Sequence, residues 1–186
     1  MRFSQTEAQH CVDLLSLLDE FVMQNSPVRG KFLNKMRRMG VDTLNDEHLV
    51  MFRAMAREIW QENDALVECC IRRASDLSDA DKETMRSWKG SFKEAYIALK
   101  KIDDYLLLHS FKGSFFAVHP LTSDFDDLLR DGLPAVIRTS LVMYKGCIVW
   151  DGLIEVGPVE FDDEHNTMSG KLAALAVAEG LVQFEL

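Results

Sequence analysis

Apolar residues recur at three- and four-residue steps through the first ninety positions, then give way to short apolar runs punctuated by glycine and proline. Ser4 and Glu7 have capping-box spacing, and Cys11, Leu14, Leu15, Leu18 and Val22 behind them share one face. This predicts a first helix ending near Asn25, ahead of Pro27. Val28 to Met39, with Phe32, Leu33 and Met36 set among basic residues, predicts a short second helix closed by Gly40. Asn45 or Asp46 is placed to cap a third, in which Leu49, Phe52, Met55 and Ile59 form a stripe. Leu66, Cys70, Ile71 and Ala74 either extend that helix or form another after a break at Gln61 to Asp64. Ser78 and Asp81 repeat the capping-box spacing ahead of Met85 and Trp88, with a stop near Gly90.

Beyond Gly90 the chain becomes strand-forming. Thr139 to Val156 holds two arms rich in β-branched and aromatic residues around Lys145-Gly146, a hairpin pattern in which Gly146 supplies the positive φ of a two-residue turn. Both faces of these arms are apolar, so they belong in a sheet covered on both sides or in a small closed barrel. Residues 92–110 are ambiguous. Phe92, Tyr96, Leu99 and Ile102 fit a helical period, whereas Tyr96 to Lys101, an Asp103-Asp104 turn and Tyr105 to Ser110 fit a hairpin. Ser114 to Val118 predicts a further strand ended by Pro120. Ser123 or Asp124 is placed to cap a short helix through Phe125, Leu128 and Leu129, stopped by Asp131-Gly132. An acidic loop, Glu160 to Glu164, then leads to a final helix from about Thr167 to Glu179. Its alanines at 173, 174, 176 and 178 allow close approach to a sheet. The predicted class is α+β, with a helical N-terminal half (1–90) and an antiparallel β-rich C-terminal half (91–186) bearing the Ala-rich helix packed on its sheet.

The run Tyr144 to Ile154, Y-K-G-C-I-V-W-D-G-L-I, resembles a segment near the C-terminus of a group of uncharacterised bacterial proteins, where a phrase like P-F-K-G-K-I-I-Y-D-G-L-I follows a long helical half. Ser87-Trp88-Lys89 and a final helix occur there in similar order. The likeness is most specific over about a dozen residues. Met143-Tyr144 stands where Pro-Phe is common, and Cys147 where Lys is common. The resemblance implies a bacterial protein that is extended over 92–110, and it assigns no reaction.

Composition narrows the function classes. At 47% hydrophobic and 27% charged the chain is of ordinary globular composition, and its longest apolar runs are far too short to span a bilayer. Glu7, Asp13 and Asp19 interrupt the region where a secretory signal would need basic and then apolar residues, which predicts a cytoplasmic protein. A formal charge of −9 argues against nucleic-acid or anionic-membrane partners, because such binding neutralises phosphates with Lys and Arg. Cys11, Cys69, Cys70 and Cys147 show no C-x-x-C spacing and read as buried, reduced thiols.

Candidate chemistry is sparse. Asp162, Asp163, Glu164 and His165, helped by His119 or Asp124, offer oxygen and imidazole ligands without the spacing of a metal motif. Asp163, His165 and His119 are the weak metal candidates, and an acidic segment favoured by a helix N-terminus explains the first two equally. Cys147 with His109 or His119 is the pair to test for nucleophilic chemistry. Asp151, matching the acid of the resembling segment, reads as a turn acceptor beside Gly152. No glycine motif for phosphate appears, and no cofactor is implied. Arg29, Lys31, Lys35, Arg37 and Arg38 form one basic cluster, which reads first as the solvated face of an ordinary amphipathic helix. As a binding surface it suits an acidic protein surface or a second copy of this chain better than nucleic acid. The function expected is a non-enzymatic cytoplasmic interaction or regulatory module. The alternative is a metal-assisted hydrolase or small-ligand binder using the acidic loop 160–165.

Overall fold

The computed structural model describes residues 3–91, 93–121, 125, 129 and 132–186. The α+β class is as expected, with helices in the N-terminal half and strands followed by a last helix in the C-terminal half. Two compact units form, one from Val12–Phe92 and one from Met1–Cys11 with Lys93–Leu186. No described helix is long and apolar enough to cross a membrane.

The helical unit contains most of α1 (Gln5–Asn25), then α2 (Val28–Arg38), α3 (Asp46–Gln61), α4 (Asp64–Arg73) and α5 (Asp79–Ser87). Its boundaries follow from local capping. Asn45 accepts the His48 backbone N–H at 3.0 Å while His48 Nδ1 accepts that of Asn45 at 3.1 Å. Asn63 accepts from the backbone of Ala65, which restarts the chain as α4 and settles the break at Gln61 to Asp64. Ser78 and Asp81 make the predicted reciprocal box. Trp60 and Trp88 are fully buried, with ring centroids 6.4 Å apart. The core also holds charge: Arg57 Nε and Nη2 donate to the two Asp19 oxygens at 3.1 and 2.5 Å, and Trp60 Nε1 donates to Asp19 Oδ1 at 3.0 Å. Asp19 is 1% and Arg57 5% exposed.

The second unit is built on β1 (Lys93–Ile102), β2 (Tyr105–Ser110), β3 (Phe115–His119), β4 (Ala135–Tyr144) and β5 (Cys147–Trp150). Residues 93–110 form a hairpin, with Ile102 opposite Tyr105 and Asp103 in the left-handed region at φ 50°. A bulge between Ala98 and Lys100 bends β1, so that its first half pairs with β4 and its second half with β2. The order β1-β2-β3-β5-β4 therefore returns to β1 and closes a five-stranded barrel. Most pairings are antiparallel as expected. Two short ones are parallel, β3 with β5 and β3 with β7 (Val182–Gln183), which makes the sheet mixed. The Lys145-Gly146 turn has φ of 50° and 73°, the double positive of a tight hairpin turn.

Tyr96, Leu108, Val118, Ile137, Ile148 and Trp150 fill the barrel, and Phe125 and Leu129 join them from the β3–β4 connection. The short helix expected from Ser123 or Asp124 to Asp131-Gly132 otherwise lies outside the described residues. On the outer face, Leu99, Leu107 and Phe115 pack against Ala173 and Ala176 of α6 (Asp163–Ala178), so the Ala-rich helix does lie on the sheet. This helix starts four residues before the expected Thr167. The Asp162 side chain accepts the His165 backbone N–H at 2.9 Å and caps it, so Asp163 and Glu164 form its first turn instead of a loop. Its other end is a Schellman turn: Leu181 N–H reaches the Ala176 carbonyl at 2.9 Å, and Gly180 adopts φ 65°. A short β6 (Glu155–Val156) pairs with β4.

The start of α1 is fastened to the β4–β5 turn. The Tyr144 hydroxyl donates to the Glu7 carbonyl oxygen at 2.9 Å and Lys145 Nζ to Glu7 Oε1 at 2.7 Å. Ser4 donates to Glu7 Oε2 from its N–H and its hydroxyl at 3.0 and 2.8 Å. Lys145 and these Ser4 donors hold the Glu7 carboxyl at about 2, below its ordinary 4.5. The folded pKa is depressed, so the stabilisation is complete above 4.5 and is lost as pH falls through about 2. A carbon-detected NMR titration of Glu7 is expected to show its midpoint near 2 in the native protein and to move up in a Lys145→Ala, Ser4→Ala variant, stopping short of 4.5 because the Ser4 backbone N–H still donates.

Candidate functional site

The sequence-predicted metal residues fall in different settings. His119 is buried at the end of β3, its Nδ1–H donating to the Asp104 backbone carbonyl at 3.1 Å, and burial holds its pKa below the ordinary imidazole value. Asp163 and His165 are exposed in the first turn of α6, where His165 Nδ1 lies 2.7 Å from Asp162 Oδ1. The His165 backbone N–H is the main cause that holds the Asp162 carboxyl below its usual range. Among the described residues no group of three His, Cys, Asp or Glu side chains is placed to hold an ion. Asp124 lies outside the described residues. Asp151 accepts the Leu153 backbone N–H at 3.0 Å, the turn role read from its Asp-Gly context.

Cys147 is half-buried beside the β4–β5 turn. His109 stacks on Phe115 at 4.5 Å, and its buried Nδ1 has no hydrogen-bond partner among the described residues. Burial lowers its pKa too. Thiol accessibility separates the four cysteines: Cys11 and Cys70 are buried, Cys69 and Cys147 partly exposed. Burial pushes the Cys70 thiol to about 11. At pH 8 only roughly one Cys70 in a thousand is thiolate, and the thiolate is the nucleophile. Iodoacetamide at pH 8 is expected to label Cys69 and Cys147 in the native protein, and Cys11 and Cys70 only in urea, read by peptide mass spectrometry.

The basic cluster does build a feature. Val28, Phe32 and Met36 of α2 face the core and are buried, while Arg29, Lys31, Lys35, Arg37 and Arg38 are all exposed. Leu33 was expected on the apolar face with Phe32 and Met36, and Leu49 on the α3 stripe with Phe52. Both do lie beside those rings, and with them they border an open cleft of about 310 Å³ between α1, α2 and α3. Its floor is Met23 with the rings of Phe32 and Phe52, stacked at 4.3 Å and 16°. Leu33, Leu44 and Leu49 stand on its walls, between 44% and 47% exposed. Charge enters at the rim alone, from Glu20 of α1 and Arg29 of α2. The sequence signal for this site was the basic cluster. Nothing in the periodicity distinguished the lining leucines from core leucines.

The barrel offers a contrasting surface. In five-stranded Greek-key barrels of the OB type, the face of strands 2 and 3 takes oligonucleotides or oligosaccharides. Here that face is covered by α6 and β7 through Leu107, Phe115, Ala173 and Val182. Architecture alone assigns no ligand. The fold and cleft define an α+β protein with a closed five-stranded barrel and a helical unit that bears an apolar cleft. No family model, curated protein or solved structure matches the chain.

Proposed function

We propose that the chain is a non-enzymatic interaction module of the bacterial cytoplasm, engaging a protein partner through the α1–α2–α3 cleft. The observation that carries this is the set of three leucines, Leu33, Leu44 and Leu49, left nearly half exposed around an aromatic floor. Exposed apolar patches with a polar rim mark interaction sites. Small-molecule pockets hold a few polar groups inside to orient a ligand; here the charged residues stand at the rim, which suits a peptide side chain better. The four free thiols fit a reducing compartment, and the Tyr144–Ile154 resemblance supports a bacterial source.

The test is site-specific photocrosslinking in cells with benzoylphenylalanine at position 33 or 49, against position 79 on the exposed first turn of α5. Defined heterologous adducts at 33 and 49 that are absent at 79 are expected. The same adduct pattern at all three positions, or none, would end this reading.

A further inference from the structure

We propose that the cleft recognises an acidic amphipathic helix, laid with its apolar face on Phe32, Phe52 and the three leucines and its carboxylates along α2. The inference rests on the interaction-module reading and adds the chemistry of the partner.

The observation behind it is one of charge. The chain carries 30 Asp and Glu against 21 Lys and Arg, so a surface cation has acids in excess to pair with. Elsewhere in the helical unit four cations do so, Arg57 with Asp19, Lys89 and Arg86 with Glu68, Arg86 with Glu83 and Lys82 with Asp79, while the scattered Arg53, Arg72 and Arg73 make no ion pair among the described residues. On α2, five cations stand within ten residues, all exposed, and none of them has an ion pair or side-chain hydrogen bond among the described residues. Arg29 and Leu33 line the cleft, and Arg37 follows them at a further four-residue step along the same flank of α2, beyond the cleft lining itself. Lys31, Lys35 and Arg38 lie on the other side of the helix.

A helix docked in a groove presents apolar anchors at i, i+3 or i+4 and i+7, and the residues beside them meet the groove rim. Against this rim, acids on one side of the seam meet Arg29 and Arg37, while Glu20 on the α1 wall disfavours acids on the other. The two walls therefore fix how such a helix rolls. Arginine suits this task because its planar fork takes a carboxylate bidentately and sheds water more readily than an ammonium. Complementary charge of this kind acts mainly on specificity and association rate, with apolar burial supplying the rest.

The probe is a designed 16-residue peptide with leucines at i, i+3, i+7 and i+10 and glutamates beside them, compared with its lysine counterpart by fluorescence anisotropy on the full chain. Binding of the glutamate peptide is expected at least about tenfold tighter than the lysine peptide, and weakening as salt rises from 50 to about 300 mM. Arg29→Glu with Arg37→Glu is expected to weaken it about tenfold. Lys31→Glu with Lys35→Glu, the same charge change on the far side of α2, is expected to cost less than about threefold. Equal affinity for the two peptides, no binding of the glutamate peptide, or indifference to the arginine reversal would each overturn the proposal. If crosslinks at 33 and 49 persist in that case, the interaction reading stands and only the partner's chemistry falls. A concentration-dependent dimer in sedimentation velocity that Leu33→Asp abolishes would make the occupant a second copy, and a stoichiometric small-molecule adduct displaced from the cleft would make it a ligand. Either overturns the proposal.

Discussion

Asp19→Ala is expected to destabilise the helical unit by about 3–5 kcal/mol, the cost of stripping one partner from a buried ion pair. In the native protein both Asp19 oxygens are used: Oδ1 accepts from Arg57 Nε and Trp60 Nε1, Oδ2 from Arg57 Nη2. Removing the carboxylate takes the Asp19 charge from a guanidinium 5% exposed and the acceptor from a buried indole N–H. Asp19→Asn keeps the volume and one acceptor and is expected to cost less, although the charge it removes is the part that matters to Arg57. The double variant Asp19→Leu, Arg57→Met replaces charge by apolar volume and is expected to recover most of the loss, since such replacements are often neutral. Urea unfolding followed by hydrogen exchange at α1 and α3 amides measures this within the helical unit itself. A cost below about 1 kcal/mol for Asp19→Ala would show that water reaches the pair and that the network is not a core element.

The contrast between this network and the helix caps explains what was legible in the sequence. Ser4 with Glu7 and Ser78 with Asp81 are three residues apart, and each pairing was readable because partner and acceptor lie in one turn. Asp19 and Arg57 are 38 residues apart. Each alone reads as a polar position on an amphipathic helix, and no local rule joins them. The barrel divides the same way. The Lys145-Gly146 hairpin is local and was anticipated, whereas closure depends on β1 with β4 and β3 with β5, pairings between distant segments. Residues 92–110 were ambiguous for a related reason. Tyr96 and Ala98 point into the barrel while Ile97 and Leu99 pack against its outer face, so the strand has no polar side and its bulge breaks the alternation further. The start of α6 was missed because four polar residues, Asp162 to His165, resemble a loop; the first of them is the cap and the rest are its first turn. For the cleft, sequence supplied the cations and the leucines. Which leucines the core would leave uncovered is decided by how three helices pack, which no single helix records.

Trp150→Ala is expected to cost about 3–5 kcal/mol, near the top of the range for a large buried side chain. The ring is 4% exposed and meets Phe125 edge-on at 4.9 Å and 76°. The cost of such a deletion depends on how far the surroundings collapse into the space. In an open sheet, an overlying layer can settle inward. Here β5 is hydrogen-bonded on both sides, to β4 through Leu141 opposite Trp150 and to β3 through Val149 opposite His119, and the ring of strands closes through β1. Moving β5 inward would break ladder bonds on both flanks, so most of the cavity should persist. Trp150→Phe keeps the contact with Phe125 and is expected to cost about 1–2 kcal/mol, because the smaller ring leaves a smaller void. The variants also separate the units optically, because the remaining tryptophans, Trp60 and Trp88, belong to the helical unit. Barrel unfolding is then followed by hydrogen exchange at β4 and β5 while tryptophan emission tracks the helices. If Trp150→Ala cost no more than Trp150→Phe, the strands would have closed over the gap, and the interior would be a deformable sheet surface and not a closed barrel.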